Sequence, residues 1–149
     1  MNRTVAIIRN RVLPLLVIVA LAVYQYYHQE DIRVDSGDAT GNDAVQAAFA
    51  AQRSGVWLEA QGQVARILSD DNEGSRHQRF VLELDDGHSV LVAHNIDLAE
   101  RVPLARNDLI SLRGRYEWNA RGGVIHWTHH DPDGRGPGGW VKSGSETYR

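Results

Sequence analysis

Along the chain the hydrophobic positions change their period. Val12 to Tyr24 (VLPLLVIVALAVY) is a continuous apolar run that carries on through Gln25 to Tyr26 and Tyr27. His28 to Asn42 is polar, acidic and without period, which reads as a linker. Val45, Ala48, Phe49 and Gln52 then recur at helical spacing, with Asn42 or Asp43 as N-cap and Ser54-Gly55 as stop. From Trp57 the period becomes two. Residues 57–68 predict a long first strand in which Gly62 suits a bend. Residues 79–84 and 88–95 predict a hairpin about Asp86-Gly87, a two-residue turn signal. Residues 108–118 predict a fourth strand, 119–123 a turn and 124–128 a fifth strand. Residues 69–76 and 96–107 read as connections. The glycine-rich tail from Asp131 reads as irregular wrapping anchored by Trp140 and Tyr148.

Five strands with a connection after the third predict a mainly β fold, a small five-stranded Greek-key barrel of OB-like type with a short N-terminal helix. A transmembrane or signal helix is expected before it. The predicted divisions are 1–27 for the membrane segment, 28–42 for the linker and 43–149 for the barrel. Barrels of this kind take ligands on the face of strands two and three, beside the first-to-second and fourth-to-fifth loops.

Charge orients the membrane segment. Residues 1–27 hold Arg3, Arg9 and Arg11 and no acid, so the positive-inside bias is expected to keep residues 1–11 cytoplasmic and send the rest of the chain across the membrane. The apolar run is marginal in length for a spanning helix. Tyr24, Tyr26 and Tyr27 suit an interfacial belt, and Ala20-Leu21-Ala22 suits cleavage, so anchor and signal peptide both remain open. The other 122 residues carry 13 basic and 19 acidic side chains, a net charge of −6 with neutral histidines. Generic nucleic-acid binding is disfavoured by that balance, because little counterion release is on offer. With no cysteine, the chain uses no disulfide, no thiolate zinc site and no cysteine nucleophile.

Seven histidines stand out, five of them in two motifs: His77 and His94 on the hairpin, and His126, His129 and His130 after it. With Asp86-Gly87 as a two-residue turn, Arg79 stands opposite His94, and His77, Arg79 and His94 share one face. Phe80, Leu82, Leu91 and Ala93 then form the core face. If the fifth strand continues past Thr128, His126, Thr128 and His130 point one way and Trp127 and His129 the other. Neutral imidazole both ligates metals and exchanges protons near neutral pH. His94, His126, His129, His130 and Asp131 are therefore the candidate metal ligands, for a divalent transition ion such as zinc. Arg79, Asn95 and His77 are the candidate ligand-binding residues, with Arg79 on an anionic group. The bland alternative keeps the histidines as hydrogen-bonded packing residues. His28 and His88 read as solvated.

Other signals are weaker. Residues 70–74 (DDNEG) look like a calcium loop but lack its helix-flanked pattern. Arg113, Arg115, Arg121 and Trp118 suggest a small anion- or base-stacking surface beside the fourth-to-fifth turn.

The motifs RHQRF (76–80), AHNIDLA (93–99), YEWN (116–119) and GGVIHWTHHDP (122–132), followed by GGW (138–140), resemble an uncharacterised bacterial family, DUF3465, over about residues 43–149. The resemblance implies a small exported or membrane-anchored protein and supplies no activity or catalytic assignment. Three functions fit the residues: a membrane-tethered periplasmic binding module for a metal or small anionic ligand, a metal-dependent hydrolase using the same histidines, and an envelope scaffold that docks another protein.

Overall fold

A computed structural model describes residues 41–149. The expected membrane segment and nearly all of the linker lie outside the described residues. Among the described residues no helix is long and apolar enough to cross a membrane.

One helix, α1 (Asn42–Ala50), precedes five barrel strands: β1 (Val56–Ile67), β2 (His77–Glu83), β3 (Ser89–Asn95), β4 (Leu109–Glu117) and β5 (Val124–His126). A C-terminal hairpin follows, β6 (Trp140–Ser143) and β7 (Glu146–Tyr148). The strands lie in the order β1-β2-β3-β5-β4, and β4 pairs back onto β1, which closes a five-strand barrel. The described residues are thus mainly β with one short helix. The tail is irregular only over 131–139: from Trp140 it forms the hairpin, β6 pairs with β4 over Ile110 to Arg113, and Tyr148 of β7 packs against the core as expected.

β1 is long because it serves two neighbours. Its first part, Val56 to Gln63, pairs with β4, and its last part, Gln63 to Ile67, pairs with β2 across an irregularity between Val64 and Arg66. Gly62 marks the changeover, since a Cβ there would collide with the carbonyl of Glu83. Leu58, Ala60 and Val64 alternate inward along the strand, joined by Phe80, Leu82, Val90, Val92, Ile110, Leu112, Tyr116 and Ile125.

The β2–β3 register departs from the expected one by a single residue. Gln78, not Arg79, stands opposite His94, and His77 stands opposite Asn95. The cause is the turn. A two-residue type I′ loop would need positive φ at Asp86 as well as at Gly87, and of these Gly87 alone has it, at 85°. Leu84 instead pairs with His88, and the amide of Gly87 donates to the Leu84 carbonyl at 3.0 Å. The loop is therefore Asp85-Asp86-Gly87, three residues ending in a left-handed glycine. That shift exchanges the faces of β3. Val90, Val92 and His94 point into the barrel, while Leu91 and Ala93 are only half-buried on its outside.

α1 covers one end of the barrel with Val45 and Ala48. The cap is Gly41 rather than Asn42 or Asp43. Asn42 turns outward from the helix: its Oδ1 accepts from the Gln61 amide at 3.0 Å and its Nδ2 donates to Asp85 at 2.6 Å. Gln46 donates to Asp86. Gln52 falls beyond the helix, at φ 51°, and is exposed. His88 is not solvated as expected. Its ring meets Phe49 edge-on at 4.8 Å, and Nε2 donates to the Gly122 carbonyl at 2.9 Å, tying α1 and two hairpin turns together.

Candidate functional site

His94 is fully buried at the other end of the barrel. Its Nε2 lies 3.0 Å from the Glu100 carbonyl and its Nδ1 lies 2.9 Å from the Thr128 hydroxyl. A carbonyl only accepts, so Nε2 carries the hydrogen and Nδ1 accepts from Thr128. The ring is neutral, with both nitrogens engaged. Beside it the buried Gln78 amide donates to the Val102 carbonyl at 2.8 Å and accepts from the Val102 amide at 3.0 Å. These four bonds pin two irregular segments, 100–102 and 128, onto the barrel, and they satisfy the polar groups of the buried His94, Gln78 and Thr128 side chains.

The other candidate residues scatter around this plug. His77 and Arg79 lie on the outer face of β2 as expected, but the register shift has taken His94 to the inner face, away from them. Arg79 Nε donates to the Ser69 carbonyl at 3.0 Å, and Asn95 accepts from the Asp97 amide at 2.9 Å. β5 ends at His126, two residues sooner than expected, because Trp127 turns to φ 55° and breaks the alternation. Thr128 and His129 are both buried in consequence, while Trp127 and His130 are exposed. His126 Nε2 is buried and 3.5 Å from Glu117 Oε1. His129 donates from Nδ1 to the His130 carbonyl at 2.7 Å. Asp131 holds the tail, accepting from the amides of Asp133 at 3.2 Å, Arg135 at 2.8 Å and Gly136. Those bonds, that of Gly136 foremost, keep its carboxyl below the usual carboxylate range. The metal set His94, His126, His129, His130 and Asp131 is thus not gathered into one coordination sphere. Among the described residues no group of three or more His, Asp and Glu side chains is placed to hold a metal. The 70–74 loop is likewise committed, Asp70 to Arg101 and Asp71 to the Glu73 amide at 3.1 Å.

A different feature emerges where the segment after β5 crosses the outside of the sheet. A groove of about 440 Å³ is lined by Trp57 of β1, Arg115 of β4, Trp127, Asp131 and the Gly136-Pro137-Gly138 stretch. Trp57 and Arg115 are cross-strand partners. The Trp127 indole is 41% exposed and stacks on the His129 ring, 5.6 Å between centroids and 29° between planes. Thr128, bonded to His94, anchors the next residue. Gly55, at φ 77°, leaves room for the guanidinium: a Cβ there would lie 3.1 Å from Arg115 Nη2. Arg115 Nε is 3.3 Å from Glu117. The arginine was legible as a candidate anion contact. Trp127 was legible only as a strand residue, since nothing in a local pattern marks a tryptophan for positive φ.

The groove's second wall, Gly136-Pro137-Gly138, runs at Gly138 into the GGW motif, one of those that set this sequence apart. A family model described as "Protein of unknown function (DUF3465)" matches residues 32–149. The chain belongs to the DUF3465 family. No curated protein matches it. Among solved structures, the DUF3465 chain is similar to the hypothetical protein ygiW from E. coli, with 18% sequence identity and a TM-score of 0.42 over 61% of this chain and 85% of that one.

Three histidines should make the DUF3465 domain less stable in acid. Burial lowers the pKa of His94, His126 and His129 below the ordinary value of 6.5, more than the bonds from Glu100, Glu117 and His130 raise them. Below about pH 6.5 the unfolded chain takes up protons that the folded chain refuses. Stability conferred by the neutral rings is complete above that pH and falls as the pH drops toward the lowered, folded-state values. Thermal unfolding between pH 8 and pH 5 should show a midpoint that is flat at first and declines below about 6.5, with a shallower decline in His94→Gln. A midpoint unchanged down to pH 5 contradicts the assignment.

Proposed function

We propose that the DUF3465 domain is a ligand-binding module of the OB-like Greek-key type. Residues 1–27 would deliver it to the periplasmic side of the bacterial cytoplasmic membrane and residues 28–42 would carry it there. The strand order and the long bent β1 support the OB-like reading, and the basic start followed by an apolar run supports the membrane reading. The ligand site is the Trp57–Arg115–Trp127 groove, and the ligand is a small ring compound bearing an anionic group, stacked on indole and held by the Arg115 guanidinium.

One observation carries this reading. Trp127 holds a left-handed backbone conformation with its indole in the open. A bulky residue at positive φ costs on the order of 1–3 kcal/mol and persists where its surroundings impose it, most often at functional sites. Stacking on His129 offsets part of that cost and still leaves 41% of the residue exposed, open to a ligand ring. A hydrolase built on the histidines finds less support, because both nitrogens of its central ring are hydrogen-bonded.

Tryptophan fluorescence titrations with galacturonic acid, benzoate and adenosine monophosphate test the site. At least one of them should quench or shift the emission, and Trp127→Gly should weaken that binding about tenfold or more. Glycine accepts φ 55°, so the same variant should stay within about 1 kcal/mol of the parent in stability. Binding unaffected by Trp127→Gly, or silence toward all three compounds, removes the groove as the site.

A further inference from the structure

We infer that the groove is one end of a longer face that binds a linear acidic glycan, a chain of sugar rings bearing carboxylates; this rests on the groove reading above. The face is the outside of β1, β4 and β6. Leu58, Ala60, Leu112 and Val141 of these strands point into the barrel, so their neighbours point out. Cross-strand partners share a face. Trp57 stands opposite Arg115, and Arg113 stands opposite both Glu59 and Trp140, with Lys142 two residues along β6 from Trp140. The Arg113 guanidinium carbon lies 5.9 Å from the Trp57 ring centroid, and Lys142 Nζ lies 5.0 Å from that of Trp140. Trp57 and Trp140 are two strands apart, roughly 10 Å at ordinary strand spacing. Trp57, Arg115, Trp140 and Lys142 therefore bring rings and exposed cations together on three adjoining strands that run on toward Trp127, with the Arg113 side chain, 15% exposed, packed among them.

A sugar ring presents an apolar C–H face to an indole and its carboxylate edge to a cation, so this arrangement suits a chain of uronate-type rings. Single-stranded nucleic acid also pairs rings with charge, but its phosphates call for a dense run of cations. Here Glu59 lies 4.0 Å from Arg113 and Glu117 lies 3.3 Å from Arg115, on the same face. One carboxylate per ring matches so diluted a positive field better than a phosphodiester chain does.

Calorimetric titration of the full chain with galacturonic acid, hexagalacturonate, maltohexaose and a dT hexanucleotide tests this. Hexagalacturonate should bind at least about tenfold more tightly than the monomer, and maltohexaose and the hexanucleotide should bind more weakly than hexagalacturonate. The paired change Trp140→Ala and Lys142→Ala, checked for an unaltered melting midpoint, should abolish the gain from chain length and leave monomer binding alone. A gain that survives the paired change, no gain at all, or equal or tighter binding of maltohexaose or the hexanucleotide overturns the glycan face. Monomer binding that depends on Trp127 without any gain from length sinks this inference while the groove reading stands. Failure of both galacturonate probes overturns it too, and the groove is then judged by benzoate and adenosine monophosphate alone.

Discussion

Replacing His94 with alanine should cost the fold about 3 kcal/mol. The ring is fully buried among residues of the barrel end, and its removal leaves a cavity where the interior is otherwise filled. It also strands two polar groups. The Thr128 hydroxyl loses its acceptor and the Glu100 carbonyl loses its donor. Each unmade bond in a buried setting adds to the packing loss. His94→Gln should cost less, since an amide both donates and accepts. Chemical denaturation followed by far-UV circular dichroism reads both differences. A midpoint for His94→Ala equal to the parent's would return this histidine to the residues free for chemistry.

Gly123→Ala should destabilise by a similar or larger amount, about 3 kcal/mol, through overpacking and a strained backbone together. Gly123 has φ 93°, and a Cβ there would overlap the Tyr116 ring. Tyr116 is among the largest fully buried side chains, and its hydroxyl donates to the Gly122 carbonyl at 3.2 Å. The ring cannot yield without leaving the core. The comparison that isolates this collision is Gly144→Ala in the β6–β7 turn, where φ is 60° but a Cβ meets open space. That change should cost only about 1 kcal/mol. Equal losses at the two positions would mean that φ alone matters and that Tyr116 can move.

Much of the fold was legible in the alternation. Residues 57–68 mark β1 to within a residue, and 108–118 mark β4. Asp86-Gly87 locates the β2–β3 turn, and the choice of Gly62 as the bend holds. The C-terminal hairpin escaped notice because β6 and β7 are four and three residues long, too short for a period to register. They owe their pairing to the β4 edge that receives them.

The candidate site was less legible, for reasons that trace to particular residues. His94 belongs inside the barrel because the loop before it has three residues rather than two, and one residue is enough to exchange the faces of a strand. The two loops share the same Asp-Gly letters. His129 lies buried beside the exposed Trp127 because Trp127 leaves the strand at positive φ, which ends the alternation that would have set their directions. Trp57, Arg115 and Pro137 come from three separate parts of the chain and meet only when the segment after β5 crosses the sheet.

The sequence by itself determined the mainly β character, the short helix ahead of it, the number of barrel strands with the limits of β1 and β4, and the family. These follow from local periodicity and motif, which need no partner to be read. Only the tertiary structure decided which face of β3 is the core, that His94 is a hydrogen-bonded part of the barrel interior, and that Trp57, Trp127 and Arg115 line one open groove. Those outcomes hang on the sign of φ at Asp86 and Trp127 and on edges that distant segments complete, and a backbone angle of that kind is set by the packing around it.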